Sequence, residues 1–153
     1  MMEQPVVAIV VGSQNDLDFI DGAKEILEKF QVPYTVEVMS AHRSLDKVMK
    51  FSESAAESGI KVIIACAGMA AHLPGVIAAK TTLPVIGVPL PTSEIKGIDS
   101  LYSMVQMPSG VPVATMAIGK AGIKNAAILA VEILSLNDSK LHEKLKEFKN
   151  SLK

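Results

Sequence analysis

The sequence predicts an α/β fold: a doubly wound, parallel five-stranded sheet between two layers of helices, the three-layer αβα arrangement. Two features of its pattern predict it. Val/Ile runs of strand length recur almost without interruption, and the segments between them have helical periodicity and the length a crossover needs. A third feature is that 153 residues contain no repeat, low-complexity tract or linker, so residues 1–153 are expected to form one domain. A fold of that size removes about 70% of its unfolded surface from water and needs no disulfide or metal staple.

The first strand is VVAIVV, residues 6–11. In the helix that follows, Leu17, Ile20, Ala23, Leu27 and Phe30 share one stripe, with Asn15 or Asp16 as cap. The second strand is YTVEVM, 34–39; its helix carries Leu45, Val48, Met49, Ser52, Ala55 and Ala56 on one face, capped by Ser44 and ended by Gly59. KVIIAC (61–66), PVIGV (84–88) and PVATMAI (112–118) complete the sheet. Further helices are expected from Asp99 to Met107, stopped by Pro108 and Gly110, and from Lys120 to Leu136. A charged tail helix, about 138–152, aligns Leu141, Leu145, Phe148 and Leu152 on a narrow stripe that could pack on its own domain or dock on a neighbouring subunit.

Charge and composition exclude several classes. Fifteen Lys+Arg against sixteen Asp+Glu give a net charge of -1, with no basic run or aromatic-interleaved patch for nucleic acid. The single cysteine, Cys66, lies in the apolar run VIIAC and reads as a buried small hydrophobe rather than a nucleophile. Glu3 and the lack of a basic segment leading into an apolar one argue against a signal peptide, and a cytoplasmic location is expected. The longest uncharged stretch, VIIACAGMAAHLPGVIAA, has the bare length of a membrane span. Gly68, His72, Pro74 and Gly75 interrupt it, so it reads as strand, loop and helix start. A mean hydropathy of +0.35 leaves surplus apolar surface that is easiest to place between subunits. A homo-oligomer is expected.

Ligands of an open parallel sheet bind outside the carboxyl ends of its strands, which directs attention to four turns. GSQND, Gly12 to Asp16, joins a glycine, a hydroxyl and a helix start suited to an anion, although such a cap is equally common as punctuation. It is neither a GxxxxGK loop nor a GxGxxG fingerprint. SAHR, Ser40 to Arg43, adds a fork-shaped cation suited to phosphate and an imidazole that titrates near neutrality; a solvated turn is the bland alternative. AGMAAHLPG, Ala67 to Gly75, holds His72 among small residues, where a satisfied, half-buried histidine is also an option. PLPTS, Pro89 to Ser93, is the fourth. His142 stands among the tail's charges and is given no role, and three scattered histidines with one strand cysteine make no metal site. The edge therefore offers an anion cradle, a carboxylate in Asp16 for sugar hydroxyls, and one or two imidazoles. That set suits proton transfer on a small phosphorylated molecule.

The ordered series GSxxD, SAHR, AGxAAHLPG, PVIGVP, DSLYSMVQMPSGVPVAT and GKAGxxNAA, spanning Val6 to about Leu136, closely resembles the class I 5-(carboxyamino)imidazole ribonucleotide mutases of purine biosynthesis. The resemblance implies a flavodoxin-like domain, a homo-octamer and a reaction without metal or organic cofactor. In that reaction the carboxyl group moves from the exocyclic nitrogen to ring carbon 4. Carried over by motif, His42 is the general acid/base. Ser13, Ser40 and Arg43 hold the phosphate region, Asp16 the ribose and His72 the base or carboxylate; Gly68, Ala70 and Leu73 also bind substrate, the small residues of the Ala67–Ala71 loop letting backbone N–H groups reach a carboxylate. Two positions depart from the family pattern: Asn15 replaces a second serine, and Met69 replaces a glycine, where a positive φ would strain it and its side chain is expected to turn away. Relatives that carboxylate aminoimidazole ribonucleotide directly with carbon dioxide resemble SAHK at the second turn, so Arg43 favours the mutase over that carboxylase. A non-catalytic module that binds a phosphoribosyl ligand is the more distant alternative.

Overall fold

The computed structural model describes residues 3–153. Five strands, β1 (Val7–Val11), β2 (Tyr34–Val38), β3 (Val62–Gly68), β4 (Val85–Leu90) and β5 (Ala114–Thr115), form one sheet in the order β2-β1-β3-β4-β5, with every pair parallel. The helices are α1 (Asp21–Lys29), α2 (Leu45–Ser54), α3 (Leu73–Lys80), α4 (Ile98–Val105), α5 (Lys120–Ser135) and α6 (Ser139–Asn150).

Alternation along the strands divides the core in two. Val7, Ile9 and Val11 of β1, with Val62, Ile64 and Cys66 of β3, face a layer made by α1, α5 and α6. Ala8, Val10, Ile63 and Ala65 point the other way, to Val48 of α2, Ile77 of α3 and Met104 of α4. Both faces of the central strands are sealed, so they need apolar residues at every position. That is why they read as unbroken Val/Ile runs.

The tail helix packs on its own domain. Asp138 caps it by accepting from the Leu141 N–H at 3.0 Å, and Leu141 and Leu145 are buried, each contributing roughly 1.5–3 kcal/mol. Phe148 meets Phe30 edge-on at 5.4 Å, and Lys149 pairs with Glu132 at 2.7 Å. Leu152, on the same expected stripe, remains exposed.

Three local expectations are corrected. The fifth strand is not seven residues but two, because Pro112 cannot donate to a ladder and the chain leaves the edge after Met116 to reach Gly119, whose φ is 77°. The first helix is broken: Gln14–Phe19 wind as a 3₁₀ helix and Ile20, at φ -90° and ψ 0°, separates it from α1. Neither Asn15 nor Asp16 caps that segment; Ser13 holds the cap position, and Asp16 lies inside the tight turn with its side chain buried. Ser44 does precede α2, but its hydroxyl bonds Ser40 instead of the helix.

Candidate active site

Chain order reverses at β1: the next strand lies on one side of it and β3 on the other. At that switch point a crevice opens beyond the carboxyl ends of the strands. Here it is a cavity of about 590 Å³. Ser13 and Asp16 reach it from the turn after β1, and Ser40, His42 and Arg43 from the turn after β2. Gly68, Ala70, His72 and Leu73 reach it from the end of β3 and the start of α3. All nine residues singled out in the sequence border this one space, as do Asn15 and Met69.

The turn after β2 is shaped by its own hydroxyls. Ser40 Oγ accepts from the backbone N–H groups of His42, at 3.3 Å, and Arg43, at 3.2 Å. Ser44 Oγ accepts from the Ser40 N–H at 2.9 Å and donates to the Ser40 carbonyl at 3.1 Å. These bonds satisfy a backbone that has left the sheet and not yet entered α2. They also project His42 and Arg43 outward, both exposed. Among the described residues no carboxylate pairs with Arg43, which leaves its guanidinium free for an anion.

Beyond β3 the chain uses backbone instead. Met69 adopts φ 56°, the left-handed region that glycine tolerates better, and His72 N–H bonds the Ala70 carbonyl at 2.9 Å. Met69 does not turn into the fold: it is 61% exposed at the cavity rim. The close bend delivers His72 to the first position before α3, where its Nδ1 lies 2.7 Å from Nε2 of His42, with the rings nearly perpendicular at 85°. A contact this short holds one hydrogen between the two nitrogens, so one ring donates and the other presents a lone pair. Both rings cannot be cationic in this arrangement.

Asp16 sits deeper. Burial pushes its carboxyl above the ordinary 3.8, while hydrogen bonding from Ser13 pulls less strongly the other way. Cys66, fully buried below, has its thiol pushed up by burial first and by the Asp16 carboxylate second, so it stays protonated and inert. No group of three or more His, Cys, Asp or Glu that could hold a metal occurs among the described residues. Nor is any described helix long and apolar enough to cross a membrane.

One lining residue escaped the sequence reasoning. Thr92, beyond β4, borders the cavity against Gly68. The only sequence signal was a hydroxyl after Pro91 in a turn already under suspicion.

The family profile for AIR carboxylase matches residues 6–153. The chain belongs to that family. Among curated relatives, it is 56% identical over 145 residues to the N5-carboxyaminoimidazole ribonucleotide mutase of Escherichia coli (strain K12), covering 95% of this chain and 86% of the relative. It is 55% identical over 150 residues to the protein of the same name from Bacillus subtilis (strain 168), covering 98% and 93%. The crystal structure of Treponema denticola PurE superimposes with a TM-score of 0.86 at 30% identity, covering 96% of this chain and 90% of that one. This chain thus shares its flavodoxin-like architecture with that protein.

Proposed function

We propose that the protein is a 5-(carboxyamino)imidazole ribonucleotide mutase, an isomerase of purine biosynthesis that moves a carboxyl group from the exocyclic nitrogen to ring carbon 4. The observation that carries this reading is the 2.7 Å contact between His42 and His72 in a cavity that also presents Ser13, Asp16, Ser40 and Arg43. It joins a mobile proton to an anchoring set for a sugar phosphate. The mutase names of the relatives at 55–56% identity support it independently.

In this mechanism Arg43, with the hydroxyls of Ser13 and Ser40, holds the phosphate, and the buried Asp16 carboxylate accepts from the ribose hydroxyls. Protonated His42 gives its proton to the exocyclic nitrogen as the N–C bond of the carbamate breaks, leaving aminoimidazole ribonucleotide and carbon dioxide. The nucleophilic ring carbon then attacks carbon dioxide, forming the C–C bond, and neutral His42 removes the proton from that carbon. The histidine ends as it began, protonated, so one imidazole serves both half-reactions. His72, 2.7 Å from Nε2 of His42, holds that ring in orientation before substrate arrives. Such positioned proton transfer is worth ~10²–10⁴ in rate. The rest comes from keeping the two fragments together over the backbone of Gly68 and Ala70.

Direct carboxylation of aminoimidazole ribonucleotide is the second reading, disfavoured by Arg43 in SAHR and by the relatives' names. Presenting the purified protein with the carbamate substrate, or with aminoimidazole ribonucleotide and bicarbonate, and following the 4-carboxy product by absorbance separates the two. Rapid product formation from the carbamate alone is expected. Product only from the second mixture would reverse the assignment, and none from either would favour a binding module.

The same reading includes a cytoplasmic homo-octamer. Its support is a face of α4 where Ile98, Tyr102 and Val105, together with nearby Ile95, are exposed and apolar, at a spacing that puts them on one stripe. Light scattering should give a mass of eight 16.2 kDa chains. The substrate is a phosphorylated metabolite, which membranes retain inside the cell.

A further inference from the structure

We propose that Thr92 is the roof of the carboxyl subsite: its hydroxyl donates to the carboxylate, and then to the carbon dioxide, held over the Gly68–Ala71 backbone, and its side chain keeps carbon dioxide from escaping between the half-reactions. This rests on the mutase reading and adds to it a residue from a fourth strand end.

The cavity is polar on one side and nearly bare on the other. Ser13, Asp16, Ser40 and Arg43 come from the turns after β1 and β2. On the side formed by β3 and β4, the lining is Ala, Gly, Met and Leu apart from His72 and Thr92. Carbon dioxide is small and uncharged, and small apolar walls suit it. A carboxylate before and after the transfer needs a donor as well. A neutral hydroxyl beside a methyl group serves both states, whereas a cation would hold the carboxylate too firmly to let it leave.

Contact between Thr92 and Gly68 is closer than any other residue would allow. A Cβ at Gly68 would overlap the Thr92 hydroxyl and come within 3.0 Å of its Cβ. Gly68 pairs in register with Leu90, two residues before Thr92, so the sheet itself brings the two together. The segment bearing Thr92 is held firmly: Pro91 fixes the preceding φ and packs on Gly97, whose own φ is 93°, and Lys96 N–H closes a turn on the Ser93 carbonyl at 3.0 Å.

The test follows carbon dioxide, not rate alone. Wild type, Thr92→Ser, Thr92→Val and Thr92→Ala are each given the carbamate substrate in buffer containing ¹³C-bicarbonate. Mass spectrometry then reads label in the 4-carboxy product and free aminoimidazole ribonucleotide per turnover, corrected for spontaneous decarboxylation. Wild type and Thr92→Ser should retain their own carbon. Thr92→Val, which keeps the shape and loses the hydroxyl, should raise the leak by about 3- to 10-fold, the scale of one neutral hydrogen bond, and Thr92→Ala should raise it further. Gly68→Ala, by displacing Thr92, should leak like Thr92→Ala. If wild type retains its carbon and Thr92→Val and Thr92→Ala do so equally, the roof is disproved and the mutase reading stands. If wild type does not convert the carbamate, both fall together.

Discussion

The turns after β2 and β3 each end in a histidine, and they are built by opposite means. Between Ser40 and Ser44 the backbone is tied by side-chain hydroxyls, four hydrogen bonds within five residues. Between Gly68 and His72 the turn has no such side chain of its own; a left-handed Met69 and one short backbone bond bend the chain, and the buried Ser100 hydroxyl of α4 donates to the Met69 carbonyl at 3.2 Å. The first turn spends polar side chains on its own shape and projects a cation and an imidazole. The second keeps its walls small and presents backbone to the cavity. A site that must grip a phosphate and also shelter a neutral gas needs both kinds of surface, and the switch point at β1 puts one on each flank.

Breaking the contact between the two turns should have the largest effect. His42→Asn is expected to lower turnover by ~10²–10⁴ while substrate binding, measured by calorimetry, persists. A variant with wild-type rate would remove the catalytic assignment. Next comes the scaffold of the first turn. Ser40→Ala leaves the His42 and Arg43 N–H groups without their acceptor and loosens both side chains; KM should rise about 10-fold, with a smaller change in kcat and little in melting temperature.

The second turn predicts an opposite response. Met69→Gly relieves a left-handed conformation that costs a non-glycine residue ~1–2 kcal/mol, so calorimetry should show melting about 2–4 °C higher. Ala70→Gly, one position on and without positive φ, should lower it instead. Equal behaviour of the two variants would show that Met69 is not strained.

Asp16, between the two turns, sets the smallest effect and gives it a pH signature. Because burial holds its carboxyl above 3.8, the folded chain ionises it less readily than the unfolded chain. Stability is therefore undiminished below pH 3.8, falls as pH rises through the folded value and stays lower at neutrality. Asp16→Asn removes that loss: at pH 7 it should melt above wild type, with the gap closing towards pH 3.8, while affinity for the ribonucleotide drops. A gap that widens in acid would contradict the assigned direction.

Much of this was legible in the amino-acid order, for identifiable reasons. Strands sealed on both faces demand apolar or small residues at nearly every position, so the Val- and Ile-rich runs of β1, β3 and β4 announce themselves. The edge strand β5, paired over only two residues, carries no such demand, and PVATMAI read as too long a strand. The 3₁₀ helix at Gln14–Phe19 was hidden because its apolar residues fit an α-helical stripe equally well. At the site, the strand ends exposed four turns, and the resemblance assigned residues in three of them. The pairing of His42 with His72 is a product of strand order, since the two turns flank β1 and meet above it. Thr92, although inside the flagged PLPTS turn, had no role for a related reason: what makes it matter is the missing Cβ of Gly68, twenty-four positions earlier.

Cys66, the chain's one sulfhydryl, is enclosed where β3 passes beneath the buried carboxylate of Asp16. Alkylating reagents can reach it only when that central strand is released. The molecule thus carries an internal clock for global opening: the rate at which a maleimide labels it reads unfolding directly, without an added dye or engineered tag. Any substrate that closes the crevice should slow that clock in proportion to how tightly it binds.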